Sequence, residues 1–268
     1  MESIISKAIV NNYFKKLDSC LELDVAIVGG GPSGLVCASL LAKEGKKVAL
    51  FEETLAPGGG MWGGAMMFNE IVVQKEAVYI LDMFGISYEW VGDDYVTADS
   101  VEATSSLIYH AKKNGATIFN CVSVEDVIFI DDKVSGIVIN WAPVKRNKMH
   151  IDPLAITAKA VLDATGHPFE VVRITAQKNN IKLLTKDGNI QGERSLSVEL
   201  GEQETVANTS MIYPGLYVSG MAANAVHGGF RMGPIFGGML LSGVKVADII
   251  GRDISNKSKI EYGDAPIN

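Results

Sequence analysis

A single stretch near the start of the chain limits the possible folds more than any other feature. Residues 23–53 read LDVAIVGGGPSGLVCASLLAKEGKKVALFEE, in which an apolar run, a glycine-rich turn, a helical segment and a second apolar run follow one another. Gly29, Gly31 and Gly34 form the pattern G-x-G-x-x-G in that turn. This arrangement is typical of a βαβ unit that binds the pyrophosphate of a dinucleotide at the helix N-terminus. It predicts an α/β fold with a parallel central sheet.

Three further positions around this unit are candidate dinucleotide contacts. Glu52 ends the second predicted strand, 21 residues after Gly31, where an acidic side chain would bind ribose hydroxyls and repel the extra phosphate of NADP. Ser33 lies in the glycine turn, where it would contact phosphate or act as the helix N-cap. The glycines between Leu55 and Asn69 exclude a stable helix or strand, and we expect this loop to approach the ligand at Gly60.

The rest of the pattern predicts one domain over residues 1–268, with an N-terminal helix and an inserted β-rich segment that forms a smaller lobe. Val124 lies in a predicted strand of that lobe, where its backbone would reach the adenine edge. Residues 173–210 are polar and carry no clear pattern. The other predicted elements are a leading amphipathic helix with apolar residues at 5, 8, 9, 13 and 17, a helix over 101–114, a hairpin turn at 131–133, strands over 156–164 and 216–218, and a helix over 234–250.

The composition argues against several classes of protein. A chain of 268 residues with 47% apolar residues can bury one sizeable core, and its net charge of −7 argues against a nucleic-acid binder. No run of 18 apolar residues is present, so no membrane span is predicted, and the N-terminus does not resemble a signal peptide. Cys20, Cys37 and Cys121 form no C-x-x-C pair, which argues against a zinc or redox centre and favours reduced thiols in the cytoplasm.

The glycine-rich segment around Gly220 helps to distinguish NAD from FAD as the bound dinucleotide. The elements predict a glutathione-reductase-like dinucleotide-binding fold, and flavoproteins of that type carry Gly-Asp after a late strand, with the aspartate contacting the flavin. Here Gly220 and Met221 follow the strand predicted over 216–218, so that carboxylate is missing. The chain is also too short for an additional nicotinamide domain. NAD therefore fits better than FAD, with an FAD-dependent oxidoreductase and an NAD-sensing binding module as the alternatives.

Polar residues flank the strand predicted over 156–164. His150 and Asp152 precede it in MHIDP, and His167 follows it in DATGH. A strand that ends in Ala-Thr-Gly normally closes a dinucleotide-binding domain, and the next residue has no chemical task. The imidazole of His167 is thus either a packed side chain or a functional group that this kind of domain does not usually need.

Six segments together resemble the thiazole synthases of thiamine biosynthesis in archaea and eukaryotes. They are GGGPSGL, EE at 52–53, PGGGMWGG, MHIDP, DATGH and GMAANAVHGGFRMGPIFGGM, and they extend from residue 29 to residue 239. The resemblance implies that NAD is a substrate. NAD, glycine and a sulfur source become an adenosine diphosphate thiazole carboxylate, and nicotinamide leaves. It also implies that Glu53 joins the dinucleotide contacts.

One departure from the eukaryotic pattern bears on the source of sulfur. In the eukaryotic members a cysteine stands two residues before the aspartate of MHIDP and gives up its own sulfur, so that the protein works once. That position is His150 here, and the chain therefore resembles the archaeal members that use free sulfide and turn over repeatedly. His150 would then orient the ADP portion or shuttle protons.

The resemblance further implies an Fe²⁺ ion held by Asp152 and His167 from neighbouring subunits of a homo-oligomer, which in the family is an octamer. Imidazole and carboxylate suit this ion, and two protein ligands leave coordination positions open for substrate and sulfide. Arg231, in HGGFRMG, would bind the carboxylate of glycine with both arms of its guanidinium, with a surface arginine in a loop as the alternative. Met221 would pack against the chain derived from NAD.

Overall fold

The computed structural model describes the backbone of residues 1–260 and the side chains of residues 1–255. Its helices are α1 (Glu2–Asp18), α2 (Pro32–Lys43), α3 (Val78–Phe84), α4 (Ser100–Lys113), α5 (Ala142–Arg146), α6 (Glu170–Asn179), α7 (Val198–Asn208), α8 (Met221–His227) and α9 (Gly237–Ile260), with short 3₁₀ turns at Gly59–Gly63, Ala65–Met67 and Lys75–Ala77. Its strands are β1 (Glu22–Val28), β2 (Val48–Glu52), β3 (Glu70–Gln74), β4 (Glu89–Val91), β5 (Tyr95–Asp99), β6 (Thr117–Asn120), β7 (Val122–Ile130), β8 (Lys133–Trp141), β9 (Leu154–Asp163), β10 (Arg194–Leu196), β11 (Ser210–Tyr213), β12 (Leu216–Val218) and β13 (Phe230–Arg231).

Within residues 1–260 the central sheet has eight strands, and its main path runs in the order β11-β12-β9-β1-β2-β6. Neighbours from β12 to β6 along this path are parallel, whereas β11 is antiparallel to β12. The β7–β8 hairpin pairs with the first part of β9, and β1 and β12 pair with the rest of β9. The mainly parallel sheet confirms the predicted α/β fold.

Three strands of this sheet end at the same level. Val28 of β1 lies beside Asp163 of β9, which in turn lies beside Val218 of β12. Because these strands are parallel, the loops that follow them leave the sheet side by side. The edge of the sheet predicted to bind a dinucleotide therefore receives segments from three distant parts of the chain.

Helices and a hairpin cover the two faces of the sheet. On one face, α2, α4 and α9 pack against the strands, and Leu35 and Leu240 are fully buried there. On the other face, the β7–β8 hairpin, α6 and α8 form a second apolar cluster in which Val172 and Val226 are fully buried. Each such side chain contributes about 1.5–3 kcal/mol to the free energy of unfolding.

Most of the predicted elements are confirmed, and the differences lie in residues 70–99, for which no element was predicted, and in the later part of the chain. The hairpin turn falls where Asp131 and Asp132 adopt left-handed φ angles of 51° and 54°. The sequence pattern missed α6, α7 and α8, because these helices carry short or polar faces. It also ended the last helix at 250, but α9 continues to Ile260, with Ile254 still buried against the core.

The β-rich segment predicted around Val124 and the turn at 131–133 follows α4 and forms the β7–β8 hairpin, which belongs to the eight-stranded sheet. A smaller β-rich unit that the sequence did not predict is inserted between β2 and α4. It is a three-stranded antiparallel sheet in the order β3-β5-β4, and α3 connects β3 to β4. The domain predicted over 1–268 includes residues 261–268, which lie outside the described residues.

The predicted N-terminal helix is present as α1, but its apolar face is not buried. Ile5 and Ile9 are 52% and 65% exposed, and only Leu17 is buried. The edge of the Tyr13 ring contacts Phe119 with 6.3 Å between ring centroids. The apolar face of α1 is exposed because only the last turns of this helix reach the body of the protein. In the described chain, no helix has the length and apolar character needed to span a membrane.

Candidate functional site

The loops that follow β1, β9 and β12 surround a cleft of about 1120 Å³. The loop after β2 and strand β13 complete its walls. The convergence explains why candidates predicted from separate motifs meet here. Those that line the cleft are Gly29, Gly31, Ser33, Glu52, Gly60, His167, Met221 and Arg231.

The glycine turn after β1 has the geometry that its spacing predicts. Gly29 has a φ of +100°, and a Cβ atom there would lie 2.3 Å from the carbonyl oxygen of Ala164. A Cβ atom on Gly34 would lie 2.3 Å from the carbonyl oxygen of Gly29, so this position needs glycine for close packing. Gly31 is the N-cap of α2, and nothing lies within 4 Å of its Cβ position. The free N–H groups of the helix N-terminus therefore face open space, an arrangement that suits an anion.

Glu52 is buried and closes the turn from the side of β2. Its Oε2 accepts a hydrogen bond from the backbone N–H of Gly30 at 2.8 Å, and its Oε1 accepts two bonds from Thr54, from the N–H and the hydroxyl, both at 2.7 Å. A carboxylate has about four acceptor positions. One position on Oε2 is thus available to a ligand hydroxyl.

A smaller cavity of about 270 Å³ adjoins the cleft and shares Gly29 and Glu52 with it. Its walls include Val124 and Glu53, two of the predicted dinucleotide contacts that the main cleft lacks. The Glu53 carboxylate forms an ion pair with Lys145, with an N–O distance of 3.0 Å. Gly34 lies beneath the turn and lines neither cavity.

The wall opposite Glu52 is formed by the turn after β12. The hydroxyl of Ser219 donates to the hydroxyl of Ser33 at 3.1 Å, and the N–H of Gly220 donates to the hydroxyl of Ser242 at 2.7 Å. Met221, which begins α8, is buried beside this turn. The interpretation of Ser33 as the helix N-cap is wrong, because Gly31 occupies that position and Ser33 is the second residue of the helix.

Asp163 holds the turn that carries His167. Its carboxylate is fully buried and accepts hydrogen bonds from the N–H and hydroxyl of Thr165, at 3.0 and 2.7 Å, and from the N–H of Val172 at 2.9 Å. Burial raises the pKa of Asp163, against the effect of these hydrogen bonds, which lower it. Asp163 was not among the site residues predicted from the sequence. The sequence did contain one signal for it, namely an acidic residue at the end of an otherwise apolar strand.

The imidazole of His167 lines the cleft and contacts a carboxylate that the sequence did not reveal. Its Nδ1 lies 3.0 and 3.1 Å from the two carboxylate oxygens of Glu193. Because an ionised carboxylate can only accept, Nδ1 is the donor in this contact, and in the neutral ring the lone pair is then on Nε2. Glu193 belongs to the polar region 173–210, and its 26-residue separation from His167 leaves no pattern in the sequence.

The two arginines beside the cleft differ in their partners. Arg194 donates from Nη2 to Glu204 at 2.7 Å and from Nε to the carbonyl oxygen of Gly228 at 2.6 Å, and its guanidinium lies 3.8 Å from the centre of the Phe230 ring. Arg231 is exposed to the cleft, and no carboxylate in the described part of the chain pairs with it. The guanidinium of Arg231 is therefore available to an anionic ligand.

His150 and Asp152 do not line the cleft. Both are exposed in the segment that precedes β9, whereas His167 follows the opposite end of that strand. The ten residues of β9, at about 3.3 Å per residue, span about 30 Å. One copy of the chain therefore does not bring Asp152 and His167 together. Across residues 1–260, no group of three or more His, Cys, Asp or Glu side chains is arranged to hold a metal ion.

The three cysteines also lie away from the cleft. Cys20 and Cys37 are buried, and burial raises the pKa of the Cys37 thiol. Cys121 is partly buried between β6 and β7. None of the three is among the residues that line the cleft, so no thiol of this copy faces a ligand bound there.

Comparison with known proteins connects this architecture to a family. A model of the Thi4 family matches residues 6–236. The chain belongs to the Thi4 family. Its 56% identity to the thiamine thiazole synthase of Desulfosudis oleivorans covers 92% of this chain and 95% of that relative. Its 54% identity to the thiamine thiazole synthase of Methanothermobacter thermautotrophicus covers the same shares of the two chains.

A solved Thi4 structure has the same fold. The crystal structure of Thermovibrio ammonificans THI4 superposes with a TM-score of 0.94 at 52% identity, over 95% of this chain and 99% of that one. The resemblance stated from the six sequence segments is confirmed. A Thi4 member with these relatives is an enzyme of thiazole biosynthesis, which favours that function over a flavin-dependent oxidoreductase or an NAD sensor.

Proposed function

We propose that this Thi4 protein joins NAD, glycine and free sulfide into adenosine diphosphate 5-(2-hydroxyethyl)-4-methylthiazole-2-carboxylate, releases nicotinamide, depends on Fe²⁺ and turns over repeatedly. One observation carries the proposal. A single cleft combines an open helix N-terminus at Gly31, a guanidinium at Arg231 that pairs with no carboxylate among the described residues, and an imidazole at His167 whose Nε2 is available. These groups suit a pyrophosphate, a small carboxylate and a metal ion respectively.

The dinucleotide would lie along the glycine turn. The N-terminus of α2 would hold the pyrophosphate, and the available acceptor position of Glu52 would bind a ribose hydroxyl. The smaller cavity beside Val124 and Glu53 would then hold the adenine. Met221 would form the apolar wall for the chain derived from the nicotinamide ribose.

Glycine would bind through its carboxylate to Arg231. This guanidinium is exposed to the cleft, and it has no competing carboxylate among the described residues. A guanidinium can bind both carboxylate oxygens at once, which would fix the orientation of the amine as well as its position. Arg194 would not serve this purpose, because Glu204 neutralises its charge and its Nε and one Nη2 hydrogen are used by Gly228 and Glu204.

The donors on the protein fit an Fe²⁺ ion. His167 presents Nε2 into the cleft with a carboxylate behind Nδ1, the arrangement usual for metal-bound histidine. Asp152 would supply the second donor, and a second copy of the chain must provide it because β9 separates the two residues by about 30 Å. This requirement supports a homo-oligomer, and the family resemblance implies an octamer. When bound, the ion would supply a Lewis-acidic centre with open positions for sulfide and substrate.

Two observations support free sulfide as the sulfur source. None of the cysteines lines the cleft, and Cys20 and Cys37 are buried. The position two residues before Asp152, which carries the donor cysteine in eukaryotic relatives, is His150, which has no sulfur to give. His150 would instead orient the ADP portion or move protons in the site that Asp152 joins.

The proposal is tested by incubating the protein with NAD, glycine, sulfide and Fe²⁺ without oxygen. We expect nicotinamide and an adenylated thiazole carboxylate, both identified by mass spectrometry, and no product when any one component is omitted. A yellow protein with visible flavin absorbance and no thiazole product would favour the oxidoreductase. Tight NAD binding without release of nicotinamide would favour a sensor.

A further inference from the structure

The contact between His167 and Glu193 has a function that the proposed reaction does not by itself require. We propose that Glu193 is a positioning residue, which fixes the tautomer and the ring orientation of His167 so that Nε2 faces the cleft as a metal donor. This inference rests on the proposed function, in which Nε2 of His167 binds Fe²⁺.

The geometry assigns opposite tasks to the two nitrogens of the ring. Both oxygens of Glu193 lie at hydrogen-bonding distance from Nδ1 of His167, at 3.0 and 3.1 Å. The proton is therefore held on Nδ1, and rotation of the ring by half a turn would break the contact. Without this carboxylate, both neutral tautomers and both ring orientations become accessible, and only part of the population presents a lone pair from Nε2 to the cleft.

Glu193 is itself held in place by its neighbours in the chain. The N–H of Gln191 donates to the carbonyl oxygen of Val226 at 3.0 Å, and the N–H of Arg194 donates to that of Gly229 at 2.9 Å. These bonds fix the backbone on both sides of Glu193 against the end of α8 and the segment that follows it. The side chain of Glu193 is 20% exposed, compared with 48% for His167.

A purely structural role is a poor explanation for this contact. The backbone around His167 is already fixed, because the buried carboxylate of Asp163 binds Thr165 and Val172 on either side of it. The cation closest to Glu193 in sequence, Arg194, is paired with Glu204 instead. These backbone contacts leave the rotation and the tautomer of the imidazole free. The contact with Glu193 determines both.

The first test measures the tautomer directly in metal-free protein. The chain has four histidines, so ¹⁵N-histidine labelling and solid-state NMR give a simple spectrum, in which His167→Ala identifies the signals of His167. In spectra whose ¹⁵N shifts show a neutral ring, we expect the Nδ1–H tautomer in the wild type. Glu193→Ala should shift the population toward Nε2–H, and Glu193→Gln, which keeps an acceptor, should lie between. An unchanged tautomer in Glu193→Ala would overturn the proposal.

The second test measures metal affinity rather than activity, with Co²⁺ as a spectroscopic substitute for Fe²⁺. Glu193→Ala should weaken Co²⁺ binding by about 10–100-fold, as loss of the outer partner of a ligating histidine does. Asp248→Asn, which removes an exposed carboxylate paired with Arg252 on α9, is the matched control and should bind as the wild type does. Unchanged affinity in Glu193→Ala, combined with loss of binding in His167→Ala, would overturn the proposal.

The two measurements separate failure of this inference from failure of the proposed function. If Co²⁺ binding does not depend on His167 at all, the iron site is wrong. A tautomer shift in Glu193→Ala would then still show that Glu193 positions the ring.

Discussion

Asp152 and His167 stand at opposite ends of β9, so that ten residues of one strand separate the two candidate metal ligands. The strand is extended and paired with β1, β8 and β12, and its second half is buried, so its two ends stay apart. Any site that contains both side chains must therefore combine two copies of the chain. Such a shared site can be tested by mixing variants that each lack one of the two side chains.

The first prediction concerns complementation between inactive variants. Asp152→Ala and His167→Ala should each lose thiazole formation and retain NAD binding, because neither residue contributes to the glycine turn. When the two variants are assembled together, random mixing should restore about a quarter of the sites, because one quarter combine an intact Asp152 with an intact His167. Thiazole yield per chain is the measurement. A mixture as inactive as its components would place both ligands in the same copy.

The second prediction concerns glycine. Arg231→Lys keeps the charge but loses the two-armed contact, and we expect a loss on the order of 1–3 kcal/mol in the use of glycine. The apparent affinity for NAD should change little, because Arg231 lies on β13 and not on the glycine turn. Steady-state kinetics with each substrate varied in turn gives both values. An unchanged KM for glycine would show that Arg231 is not its partner.

The third prediction concerns the source of sulfur. With sulfide and Fe²⁺ supplied without oxygen, the wild type should complete many cycles, and the intact mass of the protein should not change. His150→Cys would place a thiolate where the eukaryotic donor stands, and the metal would lower its pKa. That variant should form some thiazole without added sulfide, at most once per chain, and lose the mass of one H₂S. Loss of that mass from the wild type would identify one of its own cysteines as the donor.

The fourth prediction concerns a buried carboxyl behind the cleft. Oε2 of Glu202 accepts from the amide of Gln74 at 2.7 Å and from the N–H of Gly238 at 2.5 Å, while Oε1 of Glu202 and Oε1 of Gln74 are both buried without a partner. Burial raises the pKa of Glu202, partly offset by these two hydrogen bonds. The folded protein therefore binds this proton more tightly than the unfolded chain. The contribution of Glu202 to the free energy of unfolding should therefore fall as the pH rises from about 4.3, the pKa of an unperturbed glutamate, through the raised pKa of Glu202 in the folded protein.

Glu202→Gln removes the charge and adds an N–H that can reach Oε1 of Gln74. We expect this variant to be more stable than the wild type at neutral pH, by about 1 kcal/mol, and the difference to disappear near pH ~4. Urea unfolding at several pH values measures both effects. Glu199→Gln, on the exposed side of the same helix α7, is the control and should leave the pH dependence unchanged. A stability difference that does not vary with pH would rule out Glu202 as its source.

The parts of the fold and of the candidate site that could be predicted from the sequence are those that depend on local patterns. The glycine turn and Glu52 follow from short-range spacing, and the structure reproduces both. Glu193 could not be predicted, because its contact with His167 joins two loops that only the folded sheet brings together. The exposed face of α1 was missed for a related reason, since periodicity indicates an apolar face but not what covers it.

The separation of Asp152 from His167 was implicit in the sequence. The strand predicted over 156–164 lies between them, and a strand of that length excludes contact within one chain. The roles assigned to His150, Val124 and Gly60 stay predictions, because they depend on ligands that the fold accommodates but does not identify. In contrast, the helices α6 and α7 needed the tertiary structure, because their sequences alone do not favour a helix strongly.

Asp163 also connects parts of the site that seem independent in the sequence. Its backbone carbonyl oxygen accepts from Ser219 at 3.2 Å, and its neighbour Ala164 donates to Val28 at 2.8 Å, while its side chain holds the turn that carries His167. The glycine turn, the turn after β12 and the imidazole thus share one point of attachment. A designer who moved that edge of the sheet to change how the proposed dinucleotide binds would displace His167, the proposed metal donor, by the same movement, so the two parts of the site are not separately adjustable.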